Sequence, residues 1–331
     1  MGNADYQQKL QQELATYEQR IDIHDLPAIF HYWFHKHITP ICEPAGISGI
    51  DEFFASHLLS SSTCTGTARP RFLSLGSGNC DTEVGVARLL RQRGCERFTI
   101  ECLELNPAML QRGKDMAAEH GVAEFMRFTE ADFNSWVAST FYDGVMANQS
   151  LHHVTALEHL FDQVKWGLHR KARLVISDVI GRNGHLRWPE SLAIVHRFWN
   201  ELPKRNKFNL LLQRHEELYD NWDCSLEGFE GIRAQDILPL LLERFHCEKF
   251  VAFGSAIDVF VDRAFGHHFD PEREADRDFI DRVHRADEDG FADGTLTPTH
   301  MFGVFAAEEV AQPFFARGLT PAAAIRVVSG R

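Results

Sequence analysis

With 331 residues, of which 44% are hydrophobic, the chain is long enough to bury one large core or two small ones. A formal charge of −13 leaves no basic stripe to neutralise phosphates, so nucleic acid is not the expected partner. The seven cysteines (Cys42, Cys64, Cys80, Cys95, Cys102, Cys224 and Cys247) are odd in number, scattered and without a CxxC pair, which argues against a disulfide framework or a zinc knuckle.

The opening stretch, MGNADYQQKLQQELATYEQR, is polar and lacks the apolar centre of a signal peptide. No run has the length and apolarity to span a bilayer. The expectation is a soluble, cytoplasmic protein with no membrane partner. Residues 5–20 read as a polar amphipathic helix, and the aromatic-rich 21–41 as helical after Pro27. A third helix is expected over 49–59, and SSSTCTGTARP (60–70) reads as a small-residue linker. These stretches define an expected N-terminal helical cap, residues 1–68.

From Phe72 the pattern changes to short apolar runs alternating with longer periodic stretches. Strands are predicted at 71–75, 98–104, 124–128, 142–147, 172–178, 248–254 and 300–307, with helices at 81–93, 107–120 and 156–169. Such alternation predicts an α/β fold whose parallel sheet is covered on both faces. The span 181–246 is too long for a connection and reads as inserted helices, with Pro189 and Pro203 near their starts. An acidic insertion, 256–299, contains a charged helix (270–294) whose Phe279, Ile280 and Val283 face the body. The expected catalytic domain is 69–308, and 309–331 reads as a tail.

The stretch FLSLGSGNCDTEVGVARLL (72–90) is a strand, a glycine turn and a helix. In open α/β sheets, ligands bind outside the carboxyl ends of the strands, where strand order reverses. Dinucleotide sites use GxGxxG, and here Asp81 takes the place of the third glycine. A carboxylate at that helix start favours the helix but repels a pyrophosphate. A cationic nucleoside without phosphates, such as S-adenosylmethionine (SAM), fits better, although a lone GxG also suits a plain tight turn. The second predicted strand ends in Glu104, which can accept both ribose hydroxyls or serve simply as a helix-start acid. In FTEADFNSW (128–136), Asp132 can accept the adenine amine while Phe133 offers its backbone N–H; an exposed loop acid is the plainer reading. FYDGVMANQSLHHV (141–154) is a strand ending in Asn148 before a helix.

In this combination and order, the stretches resemble a class I SAM-dependent methyltransferase over about residues 70–180, plus the closing strands. The resemblance implies a Rossmann-like, seven-stranded, mostly parallel sheet with an antiparallel last strand and SAM at the switch point, to which the pattern along the chain adds the N-terminal helical cap and the helical insertions. It also implies that Gly76, Ser77, Gly78 and Asp81 lie against the methionine part of SAM and that Glu104 holds the ribose. Leu105 and Met109 would flank the adenine, Asp132 and Phe133 would read it, and Asn148 with Ser150 would lie beneath the methionine chain. One position departs from the pattern: many members carry an acid two places before the first glycine, and here it is Ser74.

Methyl transfer is an in-line displacement that needs positioning and a dry site, and a base only where the nucleophile must lose a proton. His152 and His153 are the nearest titratable groups, either of them a base or else packed into the core and the helix start. In HYWFHKH, His31 and His35 share a helical face, but no acidic partner sits at matching spacing and no metal is expected. The same helix is either core or a lid that brings Tyr32 to the chemistry and His31, Trp33 and His35 to the substrate. Trp188 and Tyr219 of the insertion would form the opposite wall, or pack an added helical layer. The expected activity is methylation of a small molecule. The alternatives are displacement of methylthioadenosine with cyclisation of the aminocarboxypropyl chain, an NAD-dependent oxidoreductase, and a non-catalytic SAM-binding module. Neither the acceptor nor the oligomeric state is written in the sequence.

Overall fold

The computed structural model describes residues 3–19, 26–226 and 228–326. Among them the strands are β1 (Arg71–Leu75), β2 (Thr99–Glu104), β3 (Met126–Glu130), β4 (Gly144–Asn148), β5 (Arg173–Val179), β6 (Phe208–Asn209), β7 (Arg214–His215), β8 (His246–Phe253), β9 (His300–Ala306) and β10 (Phe314–Phe315). The helices are α1 (Asn3–Gln19), α2 (Ala28–Trp33), α3 (Thr39–Cys42), α4 (Ile50–Thr65), α5 (Asp81–Gln92), α6 (Pro107–Glu119), α7 (Leu157–Gly167), α8 (Pro189–Trp199), α9 (Ala234–Leu242), α10 (Asp258–Val261) and α11 (Glu274–Asp293). A π-helical turn, Phe34–Ile38, joins α2 to α3. No helix among the described residues is long and apolar enough to cross a membrane.

The main sheet has the order β10-β8-β9-β5-β4-β1-β2-β3, while β6 and β7 form a separate two-stranded ribbon. β9 runs antiparallel to both β5 and β8, and the other pairs in the main sheet are parallel. All seven predicted strands form, and an eighth, the two-residue β10, extends the edge from within the stretch read as a tail. Strand order reverses at β1, which pairs with β2 on one side and β4 on the other. In open α/β sheets ligands bind at such a reversal, and the glycine turn lies at the carboxyl end of β1.

Side-chain alternation along the strands builds two cores. Phe72, Ile100, Cys102, Met146 and Val175 face the α4–α5 side, whereas Leu73, Leu75, Leu103, Val145 and Ile176 face α7 and α9. Each fully buried Leu, Ile or Phe contributes about 1.5–3 kcal/mol of apolar transfer to this arrangement. α6 starts cleanly because Asn106 accepts the N–H groups of Ala108 and Met109 and Pro107 occupies its first turn.

Two expectations change. The helix expected over 49–59 runs on to Thr65, through half of the stretch read as a linker, and ends at Gly66. Its serines tie it to the sheet: the Ser61 hydroxyl donates to the Asp143 carbonyl at 2.5 Å and accepts the Arg173 N–H at 2.8 Å. The aromatic segment after Pro27 is helical, as expected, but Trp33 is buried against Phe253 and donates to His284 of α11. The charged helix α11 buries Phe279, Ile280 and Val283, as its pattern predicts.

Candidate active site

The turn after β1 is built from left-handed residues. Gly76 has φ +69 and Gly78 φ +53, and Cys80, which has a side chain, is held at φ +62. A left-handed non-glycine costs about 1–3 kcal/mol and persists only where its surroundings fix it. A Cβ on Gly76 would lie 2.4 Å from the Ser150 Cβ, so the turn approaches the end of β4 as closely as the backbone allows. The N–H groups of Gly76 and Ser77 both donate to the Leu103 carbonyl at 3.0 Å, binding the turn to β2. Ser74 is buried and donates to Glu83 of α5 at 2.5 Å. A carboxyl group thus stands beside Ser74, supplied by the following helix rather than by the strand. Burial pushes the Glu83 carboxyl up to about 7, with the Ser74 hydroxyl working the other way.

Glu104 closes the far side of the turn. Its Oε2 accepts the Gly78 N–H at 2.9 Å, and its Oε1 accepts the N–H groups of Leu105 and Asn106 at 2.8 and 2.9 Å. Burial raises its pKa, against these three donors. Leu105 is half-buried beside it and Met109 is buried one turn into α6. Asp132 lies beyond β3, where its Oδ1 accepts the Asn134 N–H at 2.9 Å, and the Phe133 ring reaches within 3.7 Å of the Cβ position of Gly76. α1 covers this edge. The Tyr6 hydroxyl donates to Asp132 Oδ2 at 2.6 Å, Asn106 donates to the Leu14 carbonyl, Arg112 to that of Tyr17, and Lys9 to those of Ser225 and Gly228.

Past β4 the site turns polar and charged. Asn148 donates to Thr82 at the start of α5, and the Ser150 hydroxyl donates to the Leu75 carbonyl at 2.6 Å. The fully buried Asp178 at the end of β5 accepts the N–H groups of Ser150 and Leu151 on Oδ2 and meets His152 Nδ1 at 2.6 Å with Oδ1. Burial works to lower the His152 pKa. The charge and hydrogen bond of Asp178, helped by Glu230, override it and push the ring up to about 10. A histidine so held is not a free resting base. His153 also titrates above its ordinary range: burial opposes the shift, and Glu230 and Glu13 drive it. Its Nδ1 lies 2.7 Å from Glu13 of α1.

Residues 73–176 match the family model described as a methyltransferase domain. Over this stretch, about a third of the chain, the protein is similar to methyltransferase domains. Among solved structures, the chain is similar to the geranyl diphosphate C-methyltransferase of Streptomyces coelicolor A3(2), which holds S-adenosyl-L-homocysteine. Identity is 11% over 91% of this chain and 98% of that one, with a TM-score of 0.47. It is also similar to the O-methyltransferase of a Brevibacillus brevis multienzyme, at 11% identity over 76% of this chain and 72% of that one, with a TM-score of 0.41. No curated protein matches the chain by sequence.

The glycine turn carries a feature that a bound nucleoside would satisfy. Ser77 is buried, and its hydroxyl has no hydrogen-bond partner among the described residues. An orphaned buried donor at the glycine turn is a position that a bound polar group satisfies. The structure brings together Gly76, Ser77, Gly78, Glu104, Leu105, Asp132, Phe133, Asn148 and Ser150 along the carboxyl edge, with Asp81 at the first position of α5. It does not bring the aromatic helix there. Tyr32 donates to Asp281 of α11, Trp33 is in the core, and His31 and His35 are exposed with ring centroids 6.3 Å apart. Trp188 is clasped between the guanidinium groups of Arg182 and Arg326, and Tyr219 packs on Trp199 and Phe265. The sequence reading missed Glu83, Asp178, His185, Glu230 and the site-covering residues Tyr6 and Glu13. Asp178 alone had a signal, as an acid near the end of a predicted strand.

Proposed function

We propose that the chain transfers the methyl group of SAM to a small molecule held beneath α1, at the carboxyl ends of β1 and β4. The observation that supports this reading best is the convergence of the orphaned Ser77 hydroxyl, the Gly76–Ser150 contact and the Glu104 carboxyl at the glycine turn. SAM, when bound, supplies an activated methyl group. Glu104 accepts the ribose hydroxyls with a carboxyl group already oriented by three backbone donors. Asp132 takes the adenine amine, for which the Tyr6 hydroxyl must share or yield its place. Gly76, Gly78, Asn148 and Ser150 line the methionine chain. Carboxylates surround His152 and His153, so neither is a free base placed to take a proton from the acceptor. Residues 1–68 form a cap whose lid is α1, and 69–308 form the catalytic domain, whose sheet is extended at its edge by β10 from the stretch after 308. The acidic balance of −13 supports a small acceptor over a polynucleotide.

The test is incubation of the full chain with SAM, alone and with candidate acceptors, followed by mass spectrometry of the nucleoside. The expected product is S-adenosylhomocysteine, formed only when an acceptor is present. Enzyme-dependent methylthioadenosine from SAM alone would replace methyl transfer with displacement at the aminocarboxypropyl chain.

A further inference from the structure

Three segments far apart in the chain converge beside the glycine turn: the residues after β4, the loop after β5, and the turn before α9. Each brings one group to the same point. His152 Nε2 lies 3.3 Å from Glu230 Oε1, and His185 Nε2 lies 2.6 Å from the same oxygen. The ligand atoms of these three residues all lie within 4.8 Å of one another. We propose that His152, His185 and Glu230 form a binding site for a divalent transition-metal ion, with zinc as the best match.

The donor set selects the ion. Two imidazole nitrogens and one carboxylate oxygen suit zinc and its neighbours, whereas magnesium and calcium demand oxygen. Bonds of about 2.0–2.2 Å in a tetrahedral arrangement place ligand nitrogen and oxygen about 3.3 Å apart. The His152–Glu230 separation of 3.3 Å already has this value, and the His185–Glu230 pair must open by less than about 1 Å. Three ligands leave a position for a further group. His153 stands at its edge, with Nε2 3.5 Å from the second Glu230 oxygen.

The surroundings are those of a built site. Metal-binding histidines usually give their other ring nitrogen to a carboxylate, which fixes the tautomer and the ring plane. His152 does this through Asp178, at 2.6 Å, and Asp178 is itself pinned by two backbone N–H groups. Beside it, His153 Nδ1 lies 2.7 Å from a Glu13 oxygen. Glu13, Asp178 and Glu230 together place three carboxylates around one point, a negative charge that a dication offsets in part. His185 is held at φ +55, a strained backbone for a residue with a side chain. Its loop is clamped to the loop of Glu230: the Gly184 N–H donates to the Gly231 carbonyl at 2.8 Å. A Cβ on Gly231 would stand 3.0 Å from the His185 nitrogen and 3.2 Å from its ring. The two ligand-bearing loops thus touch, and neither can drift from the other. This inference concerns metal binding and stands whether or not the chain methylates.

The experiment is a titration of chelator-stripped full-length protein with Zn(II), by calorimetry against a competing chelator, and with Co(II), by visible absorption. Wild type is expected to take up one ion and to give the intense Co(II) bands of a tetrahedral site. His185→Ala and Glu230→Gln should each weaken binding by more than the roughly 10- to 100-fold that an outer-shell loss costs, and Asp178→Asn by an amount within that range. The double variant His31→Ala/His35→Ala, which removes the exposed pair, should bind as wild type does. Circular dichroism checks each variant, and if His185→Ala does not fold, the near-isosteric Glu230→Gln decides. Failure of the wild type to bind either ion, or unchanged affinity in folded Glu230→Gln, overturns the proposal.

Discussion

Replacing Glu83 with glutamine isolates the effect of burying a carboxyl group beneath the glycine turn. Glu83 is 2% exposed, bonded to Ser74, and its pKa stands at about 7 against an ordinary 4.5. The folded state therefore holds this proton more tightly than the unfolded chain does. Between about pH 4.5 and 7 the unfolded chain releases it first, so stability falls as pH rises through that window. A displacement of about 2.5 units corresponds to about 3 kcal/mol once the group is ionised in both states. Glutamine keeps the volume and an acceptor for the Ser74 hydroxyl but does not titrate. The advantage of Glu83→Gln over wild type should thus grow by roughly 2–3 kcal/mol between about pH 5 and pH 8.5. In thermal unfolding this is an upward shift of several degrees at the alkaline end. Scans of both proteins across that range check it, because every other titrating group cancels in the difference. A gap that stays constant with pH, or a variant less stable at about pH 8.5, would refute the reasoning.

Other substitutions test the site directly. Glu104→Ala removes the ribose acceptor and should weaken S-adenosylhomocysteine binding by about 1.5–3 kcal/mol, roughly 10- to 150-fold, by calorimetry; unchanged affinity would take Glu104 out of the site. Gly76→Ala must fit a Cβ 2.4 Å from that of Ser150 at φ +69, so it should lower the melting temperature and abolish nucleoside binding together. Retention of both would mean the turn is looser than described. Tyr6→Phe deletes the hydroxyl shared by Asp132 and Asn134 and should speed nucleoside exchange in stopped-flow fluorescence, by about tenfold for about 1.4 kcal/mol of lost hydrogen bonding. Tyr32→Phe, whose hydroxyl meets Asp281, should leave exchange unchanged. The opposite ranking of the two tyrosines would restore the aromatic helix as the lid.

Much of this architecture was legible because it rests on periodicity. Buried parallel strands read as short apolar runs, and the turn from Gly76 to Gly78 announces itself by residues that tolerate left-handed backbone. What escaped was held by polar contacts between distant segments. α1 has no strong apolar stripe to mark a packed face, and it reaches the site through Tyr6, Lys9 and Glu13, whose partners lie elsewhere in the chain. The aromatic helix drew attention as a lid because its rings are conspicuous, yet Trp33 is a core residue. The serine run after Leu59 has weak helix propensity and reads as a linker, but contacts of Ser61 with two strands override it. Ser74 looked like a missing acid because the sequence cannot show that Glu83, on the next helix, folds back to stand beside it.

The most direct measurement is calorimetric titration of the full chain with S-adenosylhomocysteine, run in parallel with NAD. A nucleoside site formed by Gly76, Gly78, Glu104, Asp132 and Ser150 predicts stoichiometric, saturable binding of the nucleoside and none of the dinucleotide, whose pyrophosphate would meet Asp81. Binding of NAD, or no heat from S-adenosylhomocysteine at a concentration that saturates a micromolar site, would contradict it.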